Sequence, residues 1–186
     1  MTTGSGQAAA SMREGELFDA AFGRRAAALT VRPEADADAI FVAELFAACA
    51  PLAGILPPQL LEMQSASQQA SYRADYPDAM YRIVLDGEVP IARIVVDWPI
   101  GGTSHGVDIA VLPAARATGA GPHMLRAWLE VADRLGRSCS LDVLADNRAG
   151  LLYRRLGFVL ADDSDRSSPV LPMARTARDR SLHAAN

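Results

Sequence analysis

The sequence predicts a mixed α/β fold, a mostly antiparallel sheet flanked by helices, and three observations carry that prediction. Apolar residues recur at helical spacing up to about Tyr72, then switch to strand-like alternation at Tyr81, Ile83 and Leu85, and return to helical spacing from Leu125 onward. A tight-turn pair, Asp86-Gly87, follows the first alternating run and precedes a second. No segment repeats, so the elements belong to one layered unit rather than to a repeat array.

Met1 to Ala10 is small and polar and reads as a flexible leader. Glu14 to Ala28 has Leu17, Ala20, Ala21 and Arg24 at helical spacing, weakened by Gly23, so residues 1–28 form a flexible or weakly helical N-terminal extension. The main domain then runs from 29 to 175. Leu29 to Arg32 predicts a strand, and either Asp36 or Asp38 caps a helix whose Ile40, Phe41, Leu45 and Ala48 share a face, with Pro51 ending it. A second helix opens at Pro57-Pro58 and passes through Leu60, Leu61 and Met63 toward Tyr72, closed by Pro77. Asp86-Gly87 supplies the two positive-φ positions of a hairpin leading into Val89 to Trp98. After a loop containing Gly101-Gly102, Gly106 to Leu112 is a third strand, ended by Pro113. A helix follows with Leu125, Trp128, Leu129, Ala132 and Leu135 on one stripe and Gly136 at its end. Ser138 to Leu144 is a strand, Asn147 to Leu156 a short helix stopped by Gly157, and Phe158 to Ala161 with Val170 to Ala174 a strand pair around the polar loop Asp162 to Ser168. Residues 176–186 are a C-terminal tail.

Composition narrows the function. The chain has 186 residues, 50% hydrophobic but only 6% aromatic, so Leu, Val, Ile and Ala fill the core and no disulfide or metal staple is needed. A formal net charge of -4 argues against nucleic acid and anionic membrane as partners, since both call for a dense basic face. All 18 basic residues are arginine, which excludes a Schiff-base lysine and a P-loop lysine. The most apolar stretch, Ala39 to Leu56, is broken by Glu44 and Pro51 and falls short of the roughly 20 residues a membrane span needs. The first residues lack a signal peptide's basic start and apolar run, and Cys49 and Cys139 lie far apart, so a cytoplasmic location is expected, with each cysteine a small core residue. His105, His123 and His183 lack metal-ligand spacing, and no metal is expected.

Two segments carry chemistry. Val107-Asp-Ile-Ala-Val-Leu-Pro-Ala-Ala-Arg116-Ala-Thr-Gly119-Ala-Gly121 joins a strand, a glycine-bearing loop and a long helix. Free amides, close backbone approach at the glycines and the positive end of the helix dipole suit a phosphate, and Arg116 adds a fixed charge. Glycines between a strand and a helix are often only a turn, so this pattern gains weight from the second segment. There, Leu141-Asp-Val-Leu-Ala-Asp-Asn147-Arg-Ala-Gly-Leu-Leu-Tyr153-Arg-Arg-Leu-Gly157-Phe158 joins a strand to a short helix. Together the two resemble the acetyl-CoA binding core of the GNAT superfamily of N-acetyltransferases: apolar strand, Pro, Arg-x-x-Gly-x-Gly, helix, strand, Asn, then Tyr-x-x-x-Gly-Phe. The resemblance covers Leu29 to about Arg175, with the specific motifs within Ile109 to Phe158.

That resemblance implies a GNAT-like fold and acetyl-CoA as co-substrate. It implies that the strand holding Ile109, Ala110 and Val111 splays from its neighbour and pairs its backbone with the pantetheine arm. The diphosphate would lie on the amides of Arg116, Ala117, Thr118, Gly119, Ala120 and Gly121. Asn147 would help hold the arm, and Tyr153 would protonate the departing thiolate. Acetyl transfer also needs a donor for the carbonyl oxygen, met by an amide near Ala110 or Val111, and a group to take the amine's proton. Asp97, Asp108 and His105 are the candidates, with Asp108 placed ahead of Asp97. Each residue also has a plainer reading: Tyr153 as a packed helix residue, Asn147 as an N-cap, the aspartates as half-exposed strand positions, His105 as a loop residue, Trp128 as core or interface. Ala117 stands where relatives commonly have Gly, and Pro122 lacks an amide hydrogen. The expected activity is N-acetylation of a primary amine on a small-molecule or peptide acceptor by direct attack in a ternary complex. The alternative is a non-catalytic acyl-CoA sensor or partner-binding module. A dinucleotide-binding domain is disfavoured because the glycine loop follows an antiparallel meander rather than the first strand of a βαβ unit. Homodimerisation is expected on base rates alone.

Overall fold

A computed structural model describes residues 3–50, 55–161 and 167–178. In chain order it contains α1 (Thr3–Gly23), β1 (Leu29–Pro33), a 3₁₀ turn (Asp36–Asp38), α2 (Ala39–Cys49), α3 (Pro58–Asp75), β2 (Met80–Asp86), β3 (Val89–Asp97) and β4 (Ser104–Val111). A second 3₁₀ turn (Pro113–Thr118), α4 (Ala120–Arg134), β5 (Cys139–Leu144), α5 (Ala149–Arg155), β6 (Val159–Leu160) and β7 (Val170–Arg175) complete it. The seven strands form one sheet in the order β1-β2-β3-β4-β5-β7-β6. Every pairing is antiparallel except β4 with β5. The expected mixed, mostly antiparallel sheet flanked by helices is therefore the fold.

Because side chains alternate along a strand, each strand serves both faces. One face packs against α1 and α4: Phe18, Phe22, Met80, Val84, Ile94, Val96, Met124, Leu125 and Trp128 are buried in one apolar cluster there. The other face carries a smaller cluster, Phe41, Val42 and Leu45 of α2 on Ile83 of β2. α4 owes its place to the stripe expected from sequence, and it ends at Gly136, whose φ of 66° reverses the chain.

Several expectations are corrected. The expected leader and extension at residues 1–28 are corrected over their described part, residues 3–28, which is not separate from the domain: α1 spans Thr3–Gly23, and Phe18 and Phe22 are fully buried in the main core. Polar contacts hold it as well, with Arg82 bonded to Asp19 at 2.7 Å and the Gln7 amide bridging the Trp98 carbonyl and the Ile100 amide. Small residues such as Ala8 and Ala9 read as leader composition, yet they are also good helix formers. In the hairpin, Asp86 pairs with Val89, so the loop residues are Gly87 and Glu88, and among the two only Gly87 has a positive φ, 59°. A single positive φ at the first loop position is the type II′ requirement, not the type I′ one. On α2, Ile40 is 75% exposed and Val42 takes its place on the buried face. Asp38 does stand at the N-cap position, but its carboxylate turns back to Arg32 (2.6 and 2.7 Å) and to the Ala35 amide, which sets the phase of the helix. Pro51, the loop residues Asp162 to Arg166, and the tail beyond Arg178 lie outside the described residues.

Candidate active site

β4 and β5 run parallel for only three residue pairs, Ser104 with Cys139, His105 with Ser140 and Gly106 with Leu141. Beyond them the strands part, as the resemblance implied: among the described residues no strand pairs with residues 107–111 on that side, where the Val111 carbonyl accepts from the Cys49 thiol at 3.5 Å. Two features stand where the strands part. Gly106 lies under the Trp128 indole, which a Cβ there would meet at 2.9 Å, so only glycine admits the ring. The β3–β4 register also shifts by one residue: Val95 faces Asp108 while the adjacent Val96 faces Gly106. This bulge at Val107 sends Gly106 to the core face and Asp108 to the opposite face, although regular alternation would put both on one side.

The parting opens a cleft of about 460 Å³ lined by Asp108, Ile109 and Ala110 of β4, Leu141 to Leu144 of β5, Asn147, Tyr153 of α5, and Tyr72 with Gln64 and Gln68 of α3. Burial pushes the Tyr153 phenol up to about 12, and the Asp108 carboxylate pushes the same way. Its ring packs edge-on against Phe158 at 5.9 Å, so the packing role and the cleft-facing role are both met. The Asn147 side-chain oxygen accepts the Ala149 amide at 2.9 Å, tying down the start of α5, while the residue still lines the cleft. Tyr72 is likewise pushed up to about 12 by burial, with Asp108 acting in the same direction.

Of the two aspartates singled out from sequence, Asp108 lines the cleft, as does Asp142 of β5. Arg93 Nη1 donates to Asp108 Oδ2 at 3.1 Å. Burial raises its carboxyl above the usual range, against the lowering pull of Arg93. Asp97 is placed elsewhere: it pairs with His105 toward the other end of the strands and does not line the cleft. Burial raises Asp97 too, but His105 bonds Ser140 and stacks on Tyr76, so this pair forms a separate polar patch.

At the far end of β4, Gly119 has a φ of 82° and joins the 3₁₀ turn to α4. Thr118 Oγ1 accepts the Ala120 amide, and Pro122 has none to offer. Among the described residues the amides of Gly119 and Gly121 have no intramolecular acceptor, so they remain available to an anion at the start of a 15-residue helix. Arg116 is exposed beside this loop, and its guanidinium lies within reach of the Cys49 thiol. The residues present thus fit a diphosphate. Among the described residues no cluster of His, Cys, Asp or Glu is placed to hold a metal ion, and no helix is long and apolar enough to cross a membrane.

Sequence reasoning passed over Glu34 and Arg93. The available signal was Arg93 itself, a charge inside the apolar run Ile91-Ala-Arg-Ile-Val-Val. Its partner, 59 positions earlier, carries no local mark.

Residues 78–160 match the acetyltransferase (GNAT) domain family. Among solved structures, Ard1 from Thermoplasma volcanium superposes with a TM-score of 0.60 at 20% identity, covering 82% of this chain and 99% of that one. The PaiA N-acetyltransferase from Thermoplasma acidophilum, solved with coenzyme A, gives 0.63 at 16% identity over 80% and 98% of the two chains. YncA from Salmonella typhimurium, solved with acetyl-CoA, gives 0.54 at 17% identity over 82% and 96%. A comparison with curated protein sequences finds no match. The domain match lies across the strands and loop that build the cleft, and these solved structures share the fold, so residues 78–160 are similar to a GNAT acetyltransferase domain.

Proposed function

We propose that the chain is an acetyl-CoA-dependent N-acetyltransferase that moves an acetyl group to a primary amine of a small-molecule or peptide acceptor, with both substrates bound together. The observation that carries this reading is the parting of β4 from β5, which frees a strand edge and opens a cleft onto Asp108 and Tyr153. The presence of coenzyme A and acetyl-CoA in PaiA and YncA supports it. In this reading the backbone of Ile109, Ala110 and Val111 pairs with the pantetheine arm, and Asn147 steadies it. The loop Arg116 to Gly121 holds the diphosphate, chiefly through the Gly119 and Gly121 amides and the Arg116 charge. Bound acetyl-CoA supplies the thioester.

Asp108 accepts the proton that the amine sheds as its nitrogen bonds to the carbonyl carbon, and a raised carboxyl is a better base for that task than an ordinary one. An amide near Ala110 or Val111 donates to the oxygen as it gains charge. Tyr153 gives its proton to the sulfur as the carbon–sulfur bond breaks; a phenol held near 12 stays protonated at neutral pH and is ready to do so. The two free cysteines support a reducing, cytoplasmic setting. Calorimetric titration with acetyl-CoA and with CoA tests the reading, beside a Gly121→Trp variant that fills the loop. Binding by the wild-type chain and loss in the variant are expected, followed by thiol release from acetyl-CoA with members of an amine panel. Absence of binding to both forms of the cofactor overturns the reading.

A further inference from the structure

Arg93 sits in the middle of the sheet with 1% of its side chain exposed. A guanidinium there is tolerable only when its charge is neutralised and its donors are used. Glu34 does most of this: Nε donates to Oε2 at 2.6 Å and Nη2 to Oε1 at 3.2 Å. Glu34 is itself held firmly. Its amide donates to the Tyr81 carbonyl just past the end of β1, and Arg73 of α3 donates to its Oε1 at 2.6 Å while lying 3.7 Å over the Tyr81 ring. Arg93 is thus satisfied as an ion pair before Asp108 is considered. Its remaining arm, Nη1, reaches the cleft and makes one bond of 3.1 Å to Asp108. Charges alternate along the chain Arg73, Glu34, Arg93, Asp108, and Asp108 is the end that lines the cleft.

We infer that Glu34 and Arg93 are positioning residues for Asp108: Arg93 aims the carboxylate into the cleft, and Glu34 holds Arg93 so that it orients Asp108 without capturing it. The inference rests on the reading of Asp108 as the proton acceptor. A free guanidinium would grip Asp108 and make it a poor base; no guanidinium would leave the carboxylate undirected among apolar strands. The other groups facing Asp108 are Tyr72 from α3, Tyr153 from α5 and Cys49 from α2, each of which feels its charge, together with the Ile109 amide on its own strand. Asp142 of β5 lines the same cleft. Arg93 is the cation among them that bonds it.

Opposite changes to the two residues should therefore move Asp108 in opposite directions. The measurement is carbon-13 NMR of the full chain labelled at the aspartate carboxyl carbon, with the Asp108 resonance assigned by its loss in Asp108→Asn and followed across pH. Glu34→Gln should lower the Asp108 midpoint by about half a unit to one unit, because Arg93 then acts on it unopposed; Arg93→Met should raise it by about one unit or more. Melting curves establish that each variant folds. An unchanged midpoint in Glu34→Gln, or shifts of the same sign in both variants, overturns the inference. If Arg93→Met does not fold, Glu34→Gln alone decides: a lowered midpoint supports the coupling and an unmoved one overturns it. This readout uses neither acetyl-CoA nor an acceptor, so it stands or falls apart from acetylation. Once an acceptor is found, the acidic limb of kcat/KM should follow the same shifts, and a limb that stays fixed while the NMR midpoint moves overturns the use of Asp108 as the proton acceptor.

Discussion

The two faces of the sheet are made by alternate residues of the same strands, yet they follow different rules. Toward α1 and α4 the face is apolar, and its polar groups are largely committed, Arg82 to Asp19, Ser104 to Trp128, and Arg175 to Asp133 through two bonds of 2.8 Å, while Glu14 Oε2, Trp98 Nε1 and His123 Nδ1 are buried without a partner. Toward α2 and α3 a small apolar cluster gives way to Arg93, Asp108, Asp97 and His105, with Tyr72 and Tyr81 against them. The larger apolar core lies on one face and the cleft-lining charged groups on the other. The bulge at Val107 maintains the division where it matters, keeping Gly106 under Trp128 while turning Asp108 to the cleft. A period-two strand cannot do both without it.

The comparison breaks most visibly at Trp128. Its side chain is fully buried, its indole N–H donates to Ser104 at 3.0 Å, and it covers Gly106 where β4 and β5 begin to part. Trp128→Ala should cost about 3–5 kcal/mol, read as a fall in the urea midpoint. A loss under about 1 kcal/mol would mean that the core face is not where the fold is held. Tyr153→Phe should show the reverse profile. The phenyl ring keeps its packing on Phe158, so melting temperature and acetyl-CoA affinity should stay near wild type, while turnover falls about 100-fold or more through loss of the acid. Turnover unchanged in this variant would remove Tyr153 from the chemistry. An absence of turnover in the wild-type chain, despite tight acetyl-CoA binding, would favour a non-catalytic acyl-CoA sensor.

The same division explains what could be read from the sequence. Some elements were legible because their signal is periodic and local: the α4 stripe on the core face, the β2 alternation of Tyr81, Ile83 and Leu85 on the face toward α2 and α3, and the Gly136 and Gly157 stops all correspond to observed ends or faces. Tyr153, Asn147 and the loop from Arg116 to Gly121 were legible through resemblance, since their spacing belongs to a motif. Glu34 was not, because a partner 59 residues away leaves no mark in its own segment, and Arg93 showed only as a charge inside an apolar run. The separation of Asp108 from Asp97 was hidden for a different reason. The residues sit on neighbouring antiparallel strands, and only the observed register shows that Asp97 lies opposite His105, away from the cleft, while Asp108 lies opposite Val95. α1 was underread because its fixed points, Phe18 and Phe22, need a partner surface before they look like core rather than tail.

The smallest effect separates two carboxylates on the cleft side of the sheet by sign. Arg32's paired bonds hold Asp38 below the usual carboxylate range, outweighing the opposing effect of burial. Burial, stronger than Arg93's pull, holds Asp108 above that range. For Asp38 the unfolded chain binds its proton at higher pH than the folded one. Its contribution is therefore complete above the unfolded value of about 4 and disappears as pH falls through the lower folded value. With Arg32 partly exposed, Asp38→Asn should cost about 1 kcal/mol at pH 7, and the gap to wild type should close on acidification. Asp108 behaves oppositely, because the folded chain takes up its proton first. Wild type should gain on Asp108→Asn as pH falls through the raised folded value, so the variant holds its largest advantage at neutral pH, where Glu34 still neutralises Arg93. Melting temperatures of both variants against wild type from pH 7 to pH 4 provide the test. Differences of the same sign at pH 7 would show that Asp108, like Asp38, is held mainly as a structural ion pair, and would shift the proton acceptor away from it.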